Sequence, residues 1–174
     1  TDSCSPKNPL GKLAFSLEKK VAKNERHIIL RTEGIFDSGT AYFSNTIKEC
    51  IANQGKLDLL DQRCSPTPLT DVARVLLAIT RQLSCNASPW GIHQYCALKA
   101  THRHTFVEDF LTVAAERDKG LAKVIESLEL RTQETSKAQL RNSVLDCQHI
   151  MSSFGIKQRS RGAAIKELIA NLYA

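Results

Sequence analysis

The stretch RHIILRTEGIF, Arg26–Phe36, admits two readings, and the choice between them sets the fold. Ile28, Ile29 and Leu30 are apolar and mostly β-branched, which suits a strand. The segments on either side carry helical periodicity, and a lone strand would have no partner for its backbone groups. A short helix closing near Gly34 is therefore expected, with the glycine supplying the C-terminal turn.

Upstream, residues 1–9 read as a flexible N-terminal segment. Leu10, Leu13, Ala14, Leu17 and Val21 then fall on one face of a helix, with Lys12, Glu18, Lys19, Lys20 and Lys23 on the others. Downstream, Asp37-Ser38-Gly39-Thr40 forms a turn and cap for a helix through Tyr42, Phe43, Ile47 and Ile51. Gly55 stops that helix, and Leu57, Leu59 and Leu60 begin the return arm of a helical hairpin. Pro66 and Pro68 forbid helix interior, after which Thr70 or Asp71 caps a helix carrying Val72, Val75, Leu76, Ile79 and Leu83. A loop at Asn86–Pro89 leads into a short helix, Trp90–Lys99. Phe106, Phe110, Leu111 and Ala114 mark the next helix; Glu116–Gly120 breaks it, and Leu121, Val124, Ile125 and Leu128 resume. Arg131–Gln139 is polar and reads as a linker into a helix of Leu140, Val144, Cys147 and Met151. Phe154-Gly155 turns the chain, and Ile165, Leu168, Ile169 and Leu172 close it.

With no β-hairpin signal, the expected class is all-α: about seven to nine helices stacked as hairpins, in a short α-solenoid or an irregular helical bundle. At 174 residues one domain, 1–174, is the default, and a start without Met suggests a fragment of a larger protein. The chain has 42% hydrophobic and 24% charged residues, with 8 Gly and 5 Pro, as expected of a folded protein. No apolar run reaches the ~18 residues of a membrane span, and the first residues lack the apolar core of a signal peptide. A net charge of +6 favours anionic partners. Six scattered cysteines match no compact disulfide scaffold, and Cys50 and Cys147 sit in apolar patterns; reduced thiols in an intracellular protein are expected. The sequon Asn86-Ala87-Ser88 is followed by Pro89, which disfavours its use.

First arms centred near Thr46, Val75, Phe110 and Val144 are spaced by roughly 30–35 residues, as in arrays of helical hairpins. Asn45-Thr46-Ile47, Ala52 and Gly55-Lys56-Leu57-Asp58 resemble the first arm, turn and second arm of a pentatricopeptide- or tetratricopeptide-type repeat, which implies stacked hairpins with a binding groove. Leu30–Phe36, with Asp71–Leu77, also resembles a Rho-family GTPase-activating domain, likewise all-α. In that family an arginine follows the Gly-Ile-Phe and stabilises charge on the transferred phosphate. Asp37 stands there in this chain, so the resemblance implies binding of a small GTPase without catalysis.

His93, Cys96, His102 and His104 are of metal-ligand type, but His102-x-His104 would point its rings to different sides of a helix, and no metal site is expected. No nucleophile has a recognisable base, and Glu33, Asp37, Glu108 and Asp109 read as solvent-facing carboxylates or caps. Gly34 and Gly39 are too sparse for a phosphate loop. The strongest functional hint is FGIKQRSRGAAIKELIANLY, where Lys157, Arg159, Arg161 and Lys166 cluster at a turn and helix start able to hold phosphate. This segment resembles a small DNA-binding helix-turn-helix of the SAP type, and Arg141, Lys119 and Lys123 would extend its basic patch.

The expectation is a non-enzymatic α-helical interaction or scaffold module, nuclear or cytoplasmic, without cofactor. Its partner would be a peptide or helix lodged between hairpins, with DNA or RNA contacted by the basic cluster. A small-molecule substrate and a membrane are not expected. The alternatives are a DNA- or RNA-binding helical domain, a catalytically dead GTPase-activating fold and a secreted disulfide-linked helical signalling protein.

Overall fold

Ile28–Thr32 is a strand, β1, and its partner lies some sixty residues downstream. In the computed structural model, which describes residues 4–6, 8–133 and 141–174, Gly91–Tyr95 runs parallel to it as a second strand, with Ile28 opposite Gly91 and Thr32 opposite Tyr95. Both segments were expected to be helical. The expectation failed for one physical reason: a parallel pair is closed by a long crossover, so neither strand has a neighbour nearby in sequence.

The same pattern recurs. Ile35–Phe36 (β2) pairs in parallel with Thr67–Pro68. Lys56–Leu60 (β3) pairs in parallel with Glu129–Gln133. Arg63–Cys64 (β4) pairs antiparallel with Thr101–His102. In chain order Thr67–Pro68 is β5, Gly91–Tyr95 β6, Thr101–His102 β7 and Glu129–Gln133 β8. The fold is therefore mixed α/β, and the all-α reading, whether solenoid or bundle, is overturned.

Six helices fall largely where periodicity placed them: α1 (Pro9–Val21), α2 (Ala41–Ala52), α3 (Leu69–Ser84), α4 (Arg103–Ala115), α5 (Lys119–Ile125) and α7 (Gly162–Leu172); α6 (Gln148–Phe154) begins later than expected, with Val144 in the preceding loop and Cys147 at its cap. Gly55 ends α2 at φ +88°, but the arm that follows is the strand β3. A Cβ at Gly55 would meet the Val124 carbonyl oxygen at 2.9 Å and that of Ser127 at 3.0 Å, so glycine lets the start of β3 cross the end of α5. The helical-hairpin repeat is thereby lost, and so are the pentatricopeptide-type and GTPase-activating resemblances. Arg131–Gln133, expected in a linker, belong to β8, whereas 134–140, including Leu140, lie outside the described residues.

Two apolar clusters hold the elements together. In one, Phe43, Ile47 and Cys50 of α2, Leu57 of β3, Phe106, Phe110 and Leu111 of α4, Leu121 of α5 and Ile165 and Ile169 of α7 meet Phe36. Ring centroids of Phe43 and Phe110 lie 4.6 Å apart, and those of Phe36 and Phe106 5.5 Å apart; such pairs contribute about 0.5–1.5 kcal/mol beyond burial. In the other, Val75 and Ile79 of α3 pack with Tyr95, Cys96, Cys147, Ile150, Phe154 and Ile156. Helix α1 belongs to neither. Its apolar stripe is exposed, Leu10 at 75% and Leu13 at 57%, and Glu18 ties it to β1 through two hydrogen bonds from Arg31, at 2.6 and 2.8 Å. Among the described residues no helix is long and apolar enough to cross a membrane.

Candidate functional site

At the carboxyl end of β1 the chain passes through Glu33 and Gly34 into β2, and beside this bend opens a pocket of about 220 Å³. Its apolar walls are Phe36, Phe43, Phe106 and Pro66; Glu33, Tyr42, Cys64 and Arg103 bring polar atoms. Gly34, at φ +50°, approaches Pro66 so closely that a Cβ would stand 3.3 Å from the Pro66 Cα, which keeps the bend tight against β5.

The polar residues form one chain of hydrogen bonds. Arg103 donates to the Tyr42 hydroxyl and to Gln62 Oε1, both at 3.4 Å, and its guanidinium lies 5.6 Å from the Tyr42 ring centroid. Gln62 Nε2 donates to Ser143 Oγ at 3.3 Å, Ser143 donates to Glu33 Oε1 at 2.9 Å, and Glu33 Oε2 accepts the Ser65 amide at 2.6 Å. Burial, then the Glu33 charge, raises the Cys64 thiol to about 11, against Arg103 and Arg161, so it stays protonated near neutral pH. Among the described residues Arg103 has no carboxylate within 4 Å. A half-buried guanidinium without a carboxylate, set beside aromatic faces, suits an anionic ligand that carries a ring.

Sequence reasoning named Glu33 but took it for a cap or solvated carboxylate, and missed Tyr42, Gln62, Arg103 and Ser143. No local signal joins these positions; the long-range pairings of β4 with β7 and of Arg63 with Asn142 bring them together.

The basic quartet is dispersed. Arg161 and Lys166 line an open cleft of about 500 Å³ together with Lys99, but Glu108 and Asp109 line it too. Arg161 donates to the Lys99 carbonyl at 2.8 Å and lies 4.0 Å from Asp109. Lys157 and Arg159 are outside that cleft; their carbonyls accept from Arg74 at 3.5 Å and from the Leu98 amide at 2.8 Å. Among the metal-type residues His93 is enclosed and stacks on His149, whereas His102 stacks on His104. Among the described residues no three His, Cys, Asp or Glu side chains converge as a metal site.

Parallel strand pairs joined through helices, with a pocket at a strand's carboxyl end, define the α/β class whose ligands bind at such ends. Within that class the chain belongs to the RmlD substrate binding domain family, which matches residues 1–174. The fold is shared with a dTDP-4-dehydrorhamnose reductase of Clostridium acetobutylicum, at TM-score 0.80 and 19% identity over 99% of this chain and 59% of that one. It is shared also with the Bacillus anthracis dTDP-4-dehydrorhamnose reductase in complex with NADP, at TM-score 0.67 and 16% identity over 96% of this chain and 56% of that one. The UDP-glucose 4-epimerase of Thermotoga maritima, bound to UDP-glucose, matches at TM-score 0.68 and 14% identity over 95% of this chain and 53% of that one. The chain thus spans just over half the length of these enzymes. A comparison with curated proteins gave no match.

These findings overturn the non-enzymatic scaffold reading, and with it nucleic-acid binding and the expectation that a small-molecule substrate is absent; nothing in them supports nuclear placement. The family is defined by substrate binding, and the matched proteins are enzymes.

The Bacillus anthracis reductase is in complex with a nicotinamide dinucleotide, NADP. A pyrophosphate needs free amides at a helix N-terminus. At α2 the Asp37 carboxylate already accepts the Gly39 and Thr40 amides, at 3.1 and 3.0 Å, and would repel a phosphate. At α3 the first turn holds the buried Asp71. The N-termini of these two helices do not fit the cofactor.

Proposed function

We propose that this chain is the substrate-holding part of a sugar-nucleotide-modifying enzyme of the reductase and epimerase type, and that the pocket at Glu33 and Arg103 receives the nucleotide sugar. The observation that carries this reading is the Arg103 guanidinium, without a carboxylate partner among the described residues, between the Tyr42 ring and the aromatic wall of the pocket. Arg103 would pair with the diphosphate, Tyr42 and Phe43 would face the base or sugar ring, and Glu33 with Ser143 would accept and donate to hydroxyls. At about 220 Å³ the pocket holds one ring, and the rest of the ligand extends outward past Arg103.

Calorimetric titration with dTDP-glucose and UDP-glucose tests this reading. At least one of them should bind, Arg103→Ala should weaken it about tenfold or more, and glucose alone should be unaffected by the substitution. Absence of binding at millimolar ligand, or an Arg103→Ala protein with unchanged affinity, would overturn the assignment.

A further inference from the structure

Cys96 and Cys147 approach each other at the carboxyl end of β6. Their sulfurs are 3.7 Å apart, and the Cys96 amide donates to Cys147 Sγ at 3.3 Å although the two residues are 51 apart in the chain. Both are buried, Cys96 at 1% exposure and Cys147 at 7%, whereas Cys4 and Cys85 are exposed thiols without such a partner. About 1.6 Å of closure would bring the sulfurs to disulfide bonding distance.

The surroundings favour a thiolate on Cys96. Gln158 Nε2 lies 3.6 Å from its sulfur, and the Ser65 hydroxyl, 1% exposed and without a hydrogen-bond partner of its own, stands beside it. Gln158 Nε2 donates mainly to the Cys96 and Ala97 carbonyls, at 3.0 and 3.2 Å, so Ser65 is the donor near the sulfur that has no other partner. The Cys147 thiol donates to Cys96 and brings its pKa down to about 6 against the effect of burial, while Cys147 itself is held up by the same interaction.

We propose that Cys96 and Cys147 form a site of reversible oxidation, converted by a hydroperoxide into an intramolecular disulfide. In the first step the Cys96 thiolate attacks the terminal oxygen of the hydroperoxide. An S–O bond forms, the O–O bond breaks, and the departing oxygen takes a proton to leave as alcohol, or as water from hydrogen peroxide. In the second step Cys147 attacks the Cys96 sulfur; the S–S bond forms, the S–O bond breaks, and the leaving hydroxide takes the Cys147 proton as water. Two thiols and one hydrogen peroxide thus give one disulfide and two waters. The product would pin residues 143–147 to β6, and so fix Ser143 against Glu33 at the pocket rim.

The test treats the whole chain with hydrogen peroxide, blocks residual thiols and maps the peptides without reductant. The proposal expects a link joining the Cys96 and Cys147 peptides, a mass loss of two hydrogens, four thiols still open to alkylation, and full reversal by dithiothreitol. In Cys147→Ser, which keeps a donor beside Cys96 but cannot close a disulfide, Cys96 should accumulate as a sulfenic acid captured by a 1,3-dione probe, and Cys96→Ala should slow peroxide consumption about tenfold or more. Links formed first through Cys4 or Cys85, no Cys96–Cys147 link, or equal consumption rates in wild type and Cys96→Ala would each overturn it. The readout is covalent and requires no sugar nucleotide, so its failure is separate from a failure of the binding reading.

Discussion

Ser143 donates its hydroxyl to Glu33 at 2.9 Å across 110 residues of chain. The same carboxylate takes the Ser65 amide, so Glu33 joins three loops: the end of β1, the turn before β5 and the approach to α6. Replacing Glu33 with Ala leaves a backbone amide and a hydroxyl without their acceptor. A loss of about 1–3 kcal/mol in unfolding free energy is expected, and about 1 kcal/mol for Ser143→Ala. Urea denaturation of both proteins checks the order; a Ser143→Ala loss equal to or greater than that of Glu33→Ala would contradict this arrangement.

Tyr95 anchors a second network. Its ring is fully enclosed, its hydroxyl donates to Asp71 Oδ2, and Arg74 donates to Asp71 Oδ1 at 2.6 Å and to the Tyr95 oxygen at 3.0 Å. Burial and then the Asp71 carboxylate push the phenol up to about 12, which keeps the donor proton in place. Tyr95→Phe strips the 8% exposed carboxylate of a donor and should cost about 1–3 kcal/mol. Combined with Asp71→Asn the losses should be less than additive, because either change breaks the same bond. A double-mutant cycle by denaturation measures this, and strict additivity would show that the bond contributes nothing.

Helix α1 yields the opposite expectation from what its pattern suggests. An amphipathic stripe normally signals a buried face. Here Leu13 and Leu17 are 57% and 52% exposed, so Leu13→Glu and Leu17→Glu should each change stability of this chain by no more than about 0.5 kcal/mol. Leu111→Ala, at a fully buried position of α4, should cost about 2–5 kcal/mol. Thermal unfolding of the three proteins side by side distinguishes them; a large loss at Leu13 would mean that the stripe is covered.

Helix positions were legible because their signal is local. The stripes of α3, α4 and α7 recur within one or two turns, and Pro68, Gly55 and Gly155 end segments where their backbone preferences demand. The strands were not legible, since each finds its partner far away: Ile28 pairs with Gly91, and Lys56 with Glu129. Read singly, IILRT and GIHQY lack the alternation of a half-exposed strand, and parallel pairs bury both faces unevenly. That one missed pairing changed the fold class and then the function, because a chain thought to be all helix has no strand end at which to place a pocket. The pocket residues were invisible for the same reason: Glu33, Arg103 and Ser143 converge only when β4 meets β7.

His93 gives the pH response of the fold. It is fully enclosed, with Nε2 2.9 Å from the Pro89 carbonyl and Nδ1 without a partner. That acceptor places the proton on Nε2. The groups facing the ring are His149 of α6, stacked at 4.6 Å, and Phe154 of the same helix, edge-on at 5.0 Å; among the described residues no carboxylate is in contact. Burial lowers the His93 pKa below its ordinary 6.5, the His149 ring adds to the lowering, and the Pro89 carbonyl opposes both. Because the unfolded chain takes up a proton here before the folded one does, the unfolded state binds more protons as the pH drops below about 6.5. The stabilisation is therefore complete above that value and is lost as the pH falls towards and through the lowered folded value. His93→Gln keeps a donor for Pro89 but does not titrate. Denaturation curves collected from pH 7.5 to 5 should show wild-type stability falling more steeply than that of His93→Gln; parallel slopes would mean that His93 is protonated without penalty in the folded protein.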